Sequence, residues 1–79
     1  MILEYSLDYR SDSLVYEKIF LQTLSETNLK GTISKNHFDL KLYVEADTTQ
    51  ELEDFATKFA ASLPHSIFLY GIEASIVES

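Results

Sequence analysis

Cysteine and tryptophan are absent from this chain, and it holds only two glycines and a single proline. Without cysteine there are no disulfides and no thiolate metal sites, and the redox compartment is left open. Two isolated glycines, Gly31 and Gly71, cannot build a glycine-rich phosphate cradle. Positive charge is scarce as well: six Lys and Arg face thirteen Asp and Glu, a formal charge of −7. Phosphate backbones need clustered cations, so this balance argues against nucleic acid as a partner, and it disfavours anionic membrane surfaces. No apolar run approaches the ~18 residues that cross a bilayer. Met1-Ile2-Leu3 passes at once to Glu4, with no leader-like apolar segment. A soluble cytoplasmic domain is the expectation.

What the chain does have is apolar periodicity. Hydrophobic residues make up 46% of it and ten residues are Phe or Tyr, too apolar a composition for intrinsic disorder. Its 79 residues are enough for one small domain, 1–79. Its ending at Val77-Glu78-Ser79 reads as a domain cut from a longer protein, with a complete small protein as the alternative.

The central stretch is Lys30 to Ala46, a β-hairpin pattern. Phe38, Leu40, Leu42 and Val44 alternate with Asp39, Lys41, Tyr43 and Glu45, as in a strand with one dry face. The first arm, Gly31 to Lys35, has Ile33 as its one large apolar residue and suits a sheet edge. The turn falls at Asn36-His37. Before the hairpin, Leu3, Tyr5, Leu7 and Tyr9 alternate with Glu4, Ser6 and Asp8, which predicts a half-buried first strand. Leu14 to about Thr27 switches to helical spacing, with Tyr16, Ile19, Phe20, Thr23 and Leu24 on one side. Leu14 and Leu21 fall off that stripe and imply either a wide buried face or a contact elsewhere. Asn28 or Gly31 can supply a left-handed helix exit. After the hairpin, Thr48 and Glu51 form a capping-box pattern, with acidic Glu51, Glu53 and Asp54 expected in the first turn, where they favour the helix dipole. Leu52, Phe55, Ala56, Phe59, Ala60 and Leu63 make an amphipathic stripe that Pro64 ends. Ile67 to Val77 reads as the last strand, with Ile76 its last large core residue.

The order is β-α-β-β-α-β. Two split βαβ units predict an α+β ferredoxin-like sandwich, a four-stranded antiparallel sheet with two helices on one face. Right-handed crossovers put strands one and three in the centre.

Few residues carry chemistry. His37 and His65 are the two imidazoles, distant in sequence and without acidic partners at metal-ligand spacing, so surface roles are expected. No serine has a G-x-S-x-G setting. Arg10 lies at the first strand-to-helix turn, near free N–H groups that favour an anion, although Asp8 and Asp12 offer it a local salt bridge. Tyr43 and Leu69, on the sheet face away from the helices, are candidates for a partner patch. No cofactor and no metal are expected in this segment.

At the hairpin the chain resembles the acylphosphatase family. That family's pattern is a helix end, G-x-V-x-N, a short turn and V-E-V. Here stand Asn28-Leu29-Lys30-Gly31-Thr32-Ile33-Ser34-Lys35-Asn36, then Leu42-Tyr43-Val44-Glu45. The Asn-Leu-x-Gly entry is similar to the acylphosphatase-like domain that begins the nickel–iron hydrogenase maturation carbamoyltransferases, transferases that make a cyanide-ligand precursor from carbamoyl phosphate. The resemblance implies an accessory domain whose partners are downstream domains of the same chain or a hydrogenase maturation protein. Active members carry G-x-V-Q-G-V-x-F-R after the first strand, whose amides and arginine hold the acyl phosphate, while the hairpin asparagine positions water. Counting back from Gly31 sets Tyr16-Glu17 at the Phe-Arg positions. Arg10-Ser11-Asp12-Ser13-Leu14 replaces the glycine loop, and Lys35 stands at the asparagine position, with Asn36 one residue beyond. The resemblance therefore implies a catalytically silent member. The alternatives are a divergent acylphosphatase using Arg10 and Asn36, and a ferredoxin-like interaction module unrelated to hydrogenases.

Overall fold

The computed structural model describes residues 1–8, 13–35, 39–63 and 72–78. Its elements are β1 (Ile2–Asp8), α1 (Ser13–Thr27), β2 (Lys30–Lys35), β3 (Asp39–Glu45), α2 (Thr49–Ser62) and β4 (Ile72–Glu78). The strands form one antiparallel sheet in the order β2-β3-β1-β4, so β1 and β3 are central and β2 and β4 are edges. This is the ferredoxin-like arrangement that the element order predicts.

Register decides which residues meet. Leu3, Tyr5 and Leu7 of β1 stand opposite Val44, Leu42 and Leu40 of β3, and all six are buried. Period-2 alternation places them on one sheet face, and both helices lie on it. Tyr5 contacts Phe55 and Phe59 of α2, with ring centroids 6.4 and 4.9 Å apart, and Phe20 of α1 meets the same two rings edge-on at 5.5 and 5.9 Å. Edge-to-face packing aligns the positive ring edge with the negative face of its neighbour and adds to burial. Met1 lengthens the β1–β3 pairing: its carbonyl accepts from the Ala46 amide at 3.0 Å, and its ammonium donates to the Ala46 carbonyl at 2.9 Å.

The helix ends follow from local chemistry. Asn28 takes φ 58°, and the Leu29 amide donates to the Leu24 carbonyl at 3.3 Å, the six-to-one bond of a left-handed helix exit. Gly31 has a different job. A Cβ there would lie 2.6 Å from Leu24 Cδ1 and 2.8 Å from the Tyr43 carbonyl oxygen, so α1 can close on β2 only over a bare backbone. Thr23 is polar yet 1% exposed; its hydroxyl donates to the Ile19 carbonyl at 2.8 Å and is thereby satisfied. Thr48 caps α2, accepting from the Glu51 amide at 3.2 Å. Its hydroxyl also donates to Glu51 Oε1 at 3.2 Å, so the return contact runs to the side-chain oxygen of the cap. At the other end Leu63 is extended, φ −78° and ψ 138°, the conformation a following proline imposes.

Three expectations are corrected. Only Glu51 lies in the first turn of α2; Asp54 is in the second, where it accepts from Gln50 Nε2 at 3.1 Å. Ala60 is exposed, so the buried stripe of α2 is narrower than its apolar pattern. Ile76 is no core residue: it is 51% exposed although it pairs opposite Leu3. It sits near the end of an edge strand, next to a register shift that skips Val77. The proposed start of the last strand, 67–71, lies outside the described residues.

Candidate functional site

Two positions singled out by the sequence meet on the helix side of the sheet. Glu17, in the first half of α1, faces the end of β2, and its Oε1 lies 3.0 Å from Lys35 Nζ. The helix brings Glu17 there because its neighbour Tyr16 is buried in the core, one position round the helix. The Glu17 side chain is 12% exposed and that of Lys35 46%, so the carboxylate is the sheltered member. The pair is locally neutral. An anion approaching the lysine also meets the carboxylate, and the two effects oppose each other over almost the same distance.

The opposite face of the sheet is polar. Tyr43 stands opposite Glu4 across β3 and β1, half-buried, and its phenol donates to the Glu4 carboxylate. That bond, then desolvation, then the negative charges of Glu4 and Asp39 push the phenol above its ordinary pKa. Beside it lies a shallow cleft of about 440 Å³ lined by Ile2, Lys30, Gly31, Thr32, Tyr43 and Glu45. Lys30 and Glu45 are cross-strand partners, so this cleft also contains both signs. A smaller hollow between the helices, about 200 Å³, is lined by Glu26, Glu51 and Asp54 against Lys58. None of these hollows concentrates positive charge.

Of the residues named from sequence, Tyr43 is on the open face as expected, whereas Arg10, Asn36 and Leu69 lie outside the described residues, as do His37 and His65. Among the described residues no group of three or more His, Asp or Glu side chains could hold a metal ion, and no helix is long and apolar enough to cross a membrane. The ion pair itself was not foreseen. Its one signal in the sequence was a pair of opposite charges at two positions that the resemblance singles out.

No protein-family model matches the chain, and no curated protein matches it.

Proposed function

We propose that this chain is an acylphosphatase-like accessory domain whose anion-binding pair has been replaced by an internal ion pair, leaving a docking body without catalysis of its own. One observation carries the reading. The resemblance puts the phosphate-holding arginine at Glu17 and the water-positioning asparagine at Lys35, and these side chains touch at 3.0 Å. Two positions that must converge in an active member do converge here, with the wrong chemistry for a phosphate. A carboxylate at the cation's place repels the substrate, and the lysine that could offset it is already neutralised.

The parent in this reading is a cytoplasmic hydrogenase-maturation carbamoyltransferase, and the domain packs on that enzyme's other domains or on a maturation partner. The Asn28-Leu29-Lys30-Gly31 entry favours this parent, and the ferredoxin-like topology is compatible with it. The test is hydrolysis of benzoyl phosphate by the chain and by Arg10→Ala. No turnover above the uncatalysed rate is expected from either. Turnover that Arg10→Ala abolishes would instead establish a divergent acylphosphatase.

A further inference from the structure

Leu14 and Leu21 are 57% and 54% exposed on α1, unusual for leucines in so small a domain. They are not scattered. Leu14, Glu17, Leu21 and Leu24 recur at i, i+3, i+7 and i+10, one flank of the helix. The direction of that flank is fixed by its other members: Glu17 reaches Lys35, and Leu24 lies over Gly31, both on β2. Leu21, between those two anchors, therefore overhangs the outer edge of β2, and Leu14 lies two turns nearer the helix start, past the Lys35 end. That edge has no strand paired to it among the described residues, and its residues are exposed apart from the half-buried Ile33.

We infer that this edge binds a second copy of the same chain, β2 against β2, joining two sheets into one of eight strands. Three features favour a copy over an unrelated strand. The first is spacing. Helix α1 packs across both β2 and β3, so its axis lies about half a strand spacing inside the edge. With strands ~4.8 Å apart, the two α1 axes of such a pair come to about two spacings, ~10 Å. Packed helices sit 8–10 Å apart, so the copy delivers a helix where the overhanging Leu21 needs one. The second is register. An antiparallel pairing centred on Ile33 sets Ile33 opposite Ile33. Glu17 lies over Lys35 and Leu24 over Gly31, so the same axis passes close to Leu21 and brings the two Leu21 side chains together. The third is charge. Lysines on an edge strand usually deter self-pairing, but Lys35 is neutralised by Glu17, and the centred register puts it opposite Gly31 of the other copy. The pairing is isologous and closes at two copies.

The test is sedimentation equilibrium of the 79-residue chain at rising concentration, with hydrogen exchange on the same samples. The mass is expected to rise from 9.0 kDa towards twice that value, while the Lys30–Lys35 amides gain protection. Because each copy carries −7, raising the salt from ~0.02 to ~0.5 M tightens the association by screening repulsion between the copies. Leu21→Glu sets two carboxylates face to face and raises the dissociation constant by roughly a hundredfold or more, with an unchanged far-UV spectrum because Leu21 is already half exposed. Ile76→Glu, on the other edge, leaves association unchanged. A monomer at every concentration and salt overturns the inference. So does a dimer that Leu21→Glu leaves intact, that Ile76→Glu dissolves, or that leaves the β2 amides unprotected.

Discussion

Lys35 Nζ and Glu17 Oε1, 3.0 Å apart, tie the end of an edge strand to the first half of α1. The energy of this contact is set by exposure: with Lys35 46% exposed, solvent screens much of the attraction. Lys35→Met leaves a sheltered carboxylate without its cation and is expected to cost about 1 kcal/mol at neutral pH. A double-mutant cycle with Glu17→Gln should return a coupling of about 0.5–1 kcal/mol by urea denaturation. Zero coupling would mean that the contact is incidental to the fold.

Gly31 makes a sharper demand. Gly31→Ala places a methyl 2.6 Å from Leu24 Cδ1 and 2.8 Å from the Tyr43 carbonyl oxygen. The leucine can move, but the carbonyl belongs to the centre of the sheet. A loss of about 1–3 kcal/mol is expected. Adding Leu24→Ala should not restore the difference, because the clash with the backbone stays. Thermal melts of the single and double variants check this.

Alkaline stability should be limited by Tyr5. Burial pushes its phenol from 10.0 to about 12, because the anion is poorly solvated among Phe55, Phe59 and the β3 leucines. The neutral phenol is thus the form that the fold favours. Below pH 10 both folded and unfolded chains keep the proton, and the contribution is fully present. As pH rises from about 10 to about 12 only the unfolded chain releases it, and the stability lost approaches ~2–3 kcal/mol. Tyr5→Phe should flatten that part of the stability curve, as measured by urea midpoints across the range. An unchanged slope in Tyr5→Phe would assign it to other groups.

Much of this fold is legible in the sequence because it rests on local rules. Alternation in β1 and β3, the Thr48 cap and the exit at Asn28 each follow from a few adjacent residues. The strand order follows from crossover handedness. What local pattern could not reveal was exposure set by position in the sheet. Ile76 alternates like a core residue, yet it is half exposed near the end of a strand that has one paired neighbour among the described residues. Leu14 and Leu21 showed only that they left the stripe; that Leu21 overhangs β2 depends on which strand α1 covers. The candidate site was legible only through the resemblance to acylphosphatases, which draws attention to Glu17 and Lys35. That they touch needed the tertiary structure, since seventeen intervening positions separate helix from strand end.

Thr48 tests the cap. Thr48→Ala removes the acceptor of the Glu51 amide and should cost about 1 kcal/mol, whereas Thr48→Ser keeps the oxygen and stays close to the parent. Equal midpoints for the two variants would show that the cap is dispensable.

The proposed function requires that Glu17 and Lys35 neutralise each other and leave no anion site at the start of α1. Titrating the isotopically labelled chain with inorganic phosphate at constant ionic strength, and following every backbone amide by NMR, tests it most directly. Small, non-saturating shifts are expected throughout. Saturable shifts concentrated at the start of α1, around Leu14 and Val15, would contradict it.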